Sequence, residues 1–166
     1  MVVIAYIGVG SNQGNRHAHC AAAMAHIAAS PHTRLLEQSS CYLTEPWGFP
    51  EQDDFVNLVL KIETELTPFE LLGFLKATEE KLARMKTIPF GPRTIDLDIL
   101  LYGSRIIQSP ELTIPHARLC ERGFVLVPLQ ELAPQLMHPV RNQTISHLLA
   151  ELDDTRRVVK WDRENH

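Results

Sequence analysis

Residues 2–9 are dominated by Val, Ile, Ala and Tyr, the composition of a buried first strand. Gly10-Ser11-Asn12-Gln13-Gly14 makes a turn, and Asn15 is placed to cap a helix that reaches about residue 30, where Pro31 stops it. Ala18, Ala21, Ala22, Ala25, Ala28 and Ala29 give that helix a small surface that can lie close against a sheet. A second strand is expected over about 34–43 and a third over about 54–64. In the third, Val56, Leu58, Leu60 and Ile62 alternate onto one face, and Phe55 and Asn57 share the other. Thr67, Pro68 and Glu70 form a capping box with proline at the first helical position, opening a second helix that runs to about Arg84. A fourth strand follows over about 93–102, then short helical signals near 118–133 and 144–152. The connections at 44–53 and 85–92 are punctuated by Gly and Pro.

Strand, helix, strand, strand, helix, strand predicts an α+β fold of ferredoxin-like type. Its antiparallel sheet carries both helices on one face and an active-site cleft on the other, with a C-terminal extension after Tyr102 supplying a wall. Neither repeat nor linker interrupts the pattern, so residues 1–166 read as a single domain.

Composition narrows the function classes. With 45% hydrophobic residues the chain is not a polar disordered one, and a net charge of −4 speaks against a nucleic-acid-binding or anionic-membrane face. The apolar N-terminus is too short and lacks the basic flank of a signal peptide, and no window approaches a membrane span. Cys20, Cys41 and Cys120 are odd in number, widely spaced and form no CxxC, as in a reducing cytosol. A cytoplasmic protein is therefore expected; that it is a monomer acting on small molecules is a further expectation that composition does not supply. The 16 basic residues are 11 Arg and only 5 Lys, and Arg is the residue of bidentate phosphate clamps.

The richest chemistry lies in FGPRTIDLDIL, residues 90–100. Strand alternation turns Ile95, Leu97, Ile99 and Leu101 toward the helices and Asp96 and Asp98 together toward the open face. Paired carboxylates repel and call for a cation, and oxygen ligands at this spacing suit Mg²⁺ completed by waters and phosphates. A bare Asp-x-Asp is also compatible with two solvated side chains. The flanking Gly-Pro-Arg and the apolar alternate face shift the balance toward the metal. Phe55 beside Asn57 is a way to stack and read a flat heterocycle, or an ordinary surface pair. Glu79 interrupts the apolar stripe of Leu72, Leu75 and Leu82, so it either reaches solvent at the margin or meets a buried polar partner. Arg84, Lys86 and Arg93 surround the third loop, and His116, Arg118 and Arg122 cluster further on. A divalent metal with converging arginines describes a nucleoside triphosphate site. The histidines His17, His19, His26 and His32 lack ligand spacing and read as surface residues.

These segments resemble one family. FGPRTIDLDIL is similar to the signature of the 6-hydroxymethyl-7,8-dihydropterin pyrophosphokinases of folate biosynthesis. AYIGVGSN, TEPWGFPEQDDFVN and LTIPHARLCERGFVLVPLQELAP follow the same family in the same order, over roughly residues 2–135. The resemblance implies Mg-dependent transfer of the terminal pyrophosphoryl group of ATP to the pterin's hydroxymethyl oxygen, releasing AMP. It implies that Asp96 and Asp98 hold two Mg²⁺ ions, with Glu79 near the metal site. Arg84, Lys86, Arg93, His116 and Arg122 would contact the triphosphate, with Thr113 nearby and the backbone of Ile99 at the adenine. Arg84 and Arg93 would stabilise charge during transfer, and Asp98 is a candidate base. The pterin would stack between Phe55 and Phe124, with its edge read by Asn57, Thr44 and the backbone of Glu45 and Trp47, and Gly10 would allow its close approach. Pro89, Glu111 and Ala117 depart from residues that members often carry near ATP.

Two rival readings remain, the first tested by Mg-dependent ATP binding and the second by NAD(P)H binding. One is a ligand-sensing ferredoxin-like module. The other is a dinucleotide-dependent oxidoreductase, resting on the glycines at 8, 10 and 14, although the third glycine is displaced and repeated βα units are missing.

Overall fold

A computed structural model describes residues 1–11, 14–44, 54–84, 95–153 and 157–161, with the side chain of Arg84 also outside that set. Strand β1 (Val3–Ser11) is followed by α1 (Arg16–Ala28), β2 (Thr33–Gln38), β3 (Tyr42–Thr44), β4 (Phe55–Thr64), α2 (Pro68–Arg84) and β5 (Asp96–Tyr102). Asn15 caps α1 by accepting the Ala18 N–H at 3.1 Å. At α2 the box forms in both directions: Thr67 Oγ1 accepts the Glu70 N–H at 3.3 Å, and Glu70 Oε1 accepts the Thr67 N–H at 2.9 Å.

The sheet order is β5-β1-β4-β3, with β2 on the same side of β4 as β3, and every pair is antiparallel. This is the ferredoxin-like arrangement with its second strand broken in two. The break has a local cause. Ser39 Oγ accepts the Val59 N–H at 2.9 Å, and the Ser39 N–H donates to Val59 O at 2.9 Å, so a side chain replaces a ladder carbonyl between β2 and β3. The parallel βαβ units of a dinucleotide fold are absent from the described sheet, which removes the oxidoreductase reading.

One sheet face is the main core. Val56, Leu58, Leu60 and Ile62 meet Ile27 of α1 and Leu71 and Leu75 of α2, all essentially without solvent contact. Each such Leu or Ile contributes roughly 1.5–3 kcal/mol by burial. Ile95, Leu97 and Ile99 join this core as the alternation predicts. Leu101 does not. Ile7 pairs with Ile99 but Tyr6 with Leu101, so Leu100 is an extra residue in β5, and the bulge turns Leu101 onto the opposite face.

That opposite face is only half open. A short hairpin of β6 (Ile107–Gln108) and β7 (Thr113–Ile114) and a 3₁₀ turn (Leu119–Glu121) lead to α3 (Gly123–Leu132) and α4 (Ile145–Ala150). Leu126, Leu129, Ile145 and Leu148 cover Tyr6, Val59, Leu100 and Leu101. Strand β8 (Val158–Lys160) then adds to β3, and the Trp161 N–H donates to Cys41 O at 2.8 Å. Trp161 also meets the His17 ring edge-on at 5.2 Å. The three cysteines are free, and burial, with a smaller push from Cys41, raises the Cys20 thiol to about 12. Among the described residues no helix is long and apolar enough to cross a membrane.

The turn that returns the chain into α4 is built on buried His138. Its Nδ1 accepts the Val140 N–H at 3.2 Å and the Arg141 N–H at 3.0 Å. Burial, aided by Arg141, holds its pKa below the ordinary 6.5, so the neutral ring is the folded form. Its contribution is complete above pH 6.5 and declines as pH falls below that value. His138→Ala should be about 1–3 kcal/mol less stable than wild type near neutral pH. Thermal melts of both proteins across the acidic range should show that gap narrowing.

Candidate active site

On the uncovered half of the second face lies a cavity of about 200 Å³. Its floor is β1. Gly8 and Gly10 stand opposite Val59 and Asn57 of β4, so the floor carries hydrogens where other residues would carry side chains. One wall is Thr44, Phe55 and Asn57, the second is Asp96 and Asp98, and the third is Arg122 and Phe124 at the start of α3. Residues from five segments distant in sequence thus meet at one opening.

Asn57 is buried, and its Nδ2 donates to Thr44 Oγ1 at 2.8 Å. A Cβ on Gly10 would sit 2.7 Å from Asn57 Oδ1. An added methyl at Gly10 would therefore force the amide across the ladder to shift, whether or not a ligand is bound. Asp96 and Asp98 lie either side of Leu97, whose N–H points away from β1 and donates to Glu79 Oε2 at 2.9 Å. The charge on the apolar stripe of α2 thus caps the free edge of the carboxylate-bearing strand.

The bulge serves the site as well. Unpaired in the β1 ladder, Leu100 offers its carbonyl to the His116 N–H at 2.9 Å, and His116 Nδ1 accepts the Arg118 N–H at 3.1 Å. With Nδ1 occupied as an acceptor, Nε2 carries the proton of the neutral ring. Burial lowers the His116 pKa, Asp98 opposes that, and Arg122 and Arg118 reinforce it. The guanidinium of Arg122 lies 5.3 Å from the Phe124 ring centre, a cation–π contact at the mouth.

The structure brings together seven positions expected to act on the pterin or metal, Gly10, Thr44, Phe55, Asn57, Asp96, Asp98 and Phe124, and an eighth, Arg122, expected at the triphosphate. Glu79, Thr113, His116 and Ile99 do not line the cavity. Glu79 grips Leu97 from behind, Thr113 is exposed on β7, His116 lies in the field of Asp98 and Arg122, and the Ile99 side chain is in the main core. Glu45, Trp47, Lys86, Arg93, Pro89 and the side chain of Arg84 lie outside the described residues. Glu111 and Ala117 are exposed. Gly8 was missed as a site residue, although its spacing of two from Gly10 places both on one strand face.

Gly10→Ala should destabilise the fold by about 1–3 kcal/mol, the usual range for forcing a methyl into a filled space. The double variant Gly10→Ala/Asn57→Ser should recover part of that loss in denaturant melts. Equal stability of Gly10→Ala and wild type would refute the contact.

Over residues 6–134 the sequence matches the family described as 7,8-dihydro-6-hydroxymethylpterin-pyrophosphokinase. A 2-amino-4-hydroxy-6-hydroxymethyldihydropteridine pyrophosphokinase of Methylorubrum extorquens is 43% identical over 149 residues, covering 90% of this chain and 93% of that protein. The enzyme of the same name from Haemophilus influenzae is 42% identical over 157 residues, covering 95% and 98%. Among solved structures, a Plasmodium falciparum HPPK-DHPS aligns over 91% of this chain with a TM-score of 0.75 at 17% identity, a likeness of fold. This chain spans 45% of that longer protein. Because the match runs through β1, the carboxylate strand and the start of α3 alike, the floor and walls of the cavity fall within it, and the chain belongs to the 7,8-dihydro-6-hydroxymethylpterin-pyrophosphokinase family.

Proposed function

We propose that this chain transfers the terminal pyrophosphoryl group of ATP to the hydroxymethyl oxygen of 6-hydroxymethyl-7,8-dihydropterin in the cavity on β1. The observation that carries the reading is the convergence of Asp96 and Asp98 with the Asn57–Thr44 pair and Phe124 on one opening. In the reaction the substrate hydroxyl oxygen bonds to the β-phosphorus. The bond from that phosphorus to the oxygen bridging to the α-phosphorus breaks, AMP departs, and the hydroxyl proton is lost.

Asp96 and Asp98 suit Mg²⁺. Among the described residues no three or more His, Cys, Asp or Glu are grouped so as to hold a metal ion, and Mg²⁺ favours one or two carboxylates with waters and phosphates over an all-protein cage. When bound there, two such ions would neutralise phosphate charge and make the hydroxyl more acidic. The chain's own residues do the rest by placement. Phe55 and Phe124 offer apolar surfaces to the flat ring, and Asn57 offers its amide to the ring edge. Arg122 lines the cavity, where it would meet the phosphates, and His116, with Nδ1 engaged, has a neutral Nε2–H that would donate to an anionic oxygen. Arg84, Lys86 and Arg93 would complete the triphosphate contacts. Positioning and charge neutralisation are what such transfers chiefly require.

The test is incubation with Mg-ATP and the reduced hydroxymethylpterin, following nucleotide products. AMP should form in step with pterin consumption; ADP, or AMP release independent of the pterin, would overturn the reading. Asp96→Asn and Asp98→Asn should each lower turnover by about a thousandfold, matching the several kcal/mol that metal-borne charge neutralisation supplies. Near-normal turnover in either variant would remove the carboxylates from the chemistry.

A further inference from the structure

Helix α3 and strand β3 are joined by one carboxylate. Glu131, in the last turn of α3, accepts at Oε2 from the Ser40 N–H at 2.9 Å and the Ser40 hydroxyl at 3.2 Å. Its Oε1 accepts from the Tyr42 hydroxyl at 2.5 Å. Tyr42 is buried on the cavity face of β3, directly opposite Asn57 in the ladder, two residues before Thr44. The other end of α3 carries Arg122 and Phe124 into the cavity. The helix is therefore a rod of ten residues, about 15 Å long, with the clamp at one end and the stacking ring at the other.

Apolar contacts alone leave such a rod underdetermined. Val125, Leu126 and Leu129 hold α3 against the sheet, but burial is non-directional and resists sliding or rotation weakly. Hydrogen bonds to an ionised acceptor are short and directional, and three of them on one carboxylate fix both the axial and the rotational setting. A flat ring held between two aromatic surfaces needs about 3.5 Å on each face, so the tolerance is small. We infer that the Ser40–Tyr42–Glu131 clamp is a positioning device for the pterin subsite, setting Phe124 on α3 against Phe55, Asn57 and Thr44 on β4 and β3. The inference rests on the proposed function and extends it to residues that touch no substrate.

Two other features accord with this role. Burial raises the Tyr42 phenol pKa, and its bond to Glu131 raises it further, so the hydroxyl stays a donor. Burial works against ionisation of Glu131, yet the bonds from Tyr42 and Ser40 outweigh it and keep the carboxyl below the ordinary range. The clamp thus remains a hydroxyl–carboxylate contact at neutral pH.

The experiment compares wild type, Tyr42→Phe, Glu131→Ala, Glu131→Gln and the double variant Tyr42→Phe/Glu131→Ala as full chains. AMP release is measured with the pterin varied at saturating Mg-ATP, and with ATP varied at saturating pterin. Tyr42→Phe and Glu131→Ala should each raise the pterin KM by about tenfold. The ATP KM should stay within about twofold of wild type. Glu131→Gln, which keeps an acceptor for Tyr42, should recover part of the loss. The double variant should be no worse than the worse single one, the mark of a shared interaction. A pterin KM unchanged in both single variants would overturn the inference, as would parallel increases in both KM values, which signify general loosening of the fold. If Glu131→Ala does not fold, Tyr42→Phe decides the matter, since it removes a single oxygen and keeps the ring. A wild-type chain that releases no AMP would instead overturn the proposed function, and the clamp's role with it.

Discussion

The site depends on β1 being bare on one face near its C-terminal end. A central strand normally carries side chains on both faces, and a sheet so built has no room for a ligand. Gly8 and Gly10 empty that space, and the 2.7 Å approach from Asn57 to a hypothetical Cβ shows how fully the sheet uses it. The consequences run in both directions across the sheet. Toward β4, the bare backbone lets the Asn57 amide settle against Thr44. Toward β5, it leaves Asp96 and Asp98 facing the same hollow.

Around this floor, irregular features place the functional groups. The extra residue at Leu100 interrupts β5 where the half facing the cavity ends and the covered half begins. It frees a carbonyl for His116 and sends Leu101 into the core beneath α3 and α4. A bulge beside a site that re-aims side chains is a recurrent device of antiparallel sheets. Because the second core is built on the same face as the cavity, the C-terminal segment both covers apolar surface and carries the third wall.

Much of this was legible in the sequence because it is local. The caps at Asn15 and at Thr67–Glu70, the alternation of β4 and the Asp96–Asp98 pair are decided within a few residues. Features that depend on pairing were not legible. The break at Ser39 and the displacement of Leu101 both require the register with a neighbouring strand. Glu79 showed itself as a charge in the wrong place, but its partner, the Leu97 N–H, lies on another element. Glu131 gave no signal, since its contacts are 89 and 91 residues away. The net charge of −4 argued against a polymeric anion while concealing a local group of Arg and His suited to one nucleotide.

The edge position of β5 has a consequence beyond chemistry. An edge strand offers unpaired amides and carbonyls to any passing strand, and proteins must blunt that offer to remain soluble. In β5 the Leu97 N–H is occupied by a helix carboxylate and the Leu100 carbonyl by a loop amide, while the exposed face bears Asp98. An approaching strand would find two of the edge's hydrogen-bonding positions taken and a charged Asp98 beside them. The aspartates proposed to hold the metal therefore also set charge beside this edge, and a variant that neutralises them removes that charge along with the proposed metal ligands.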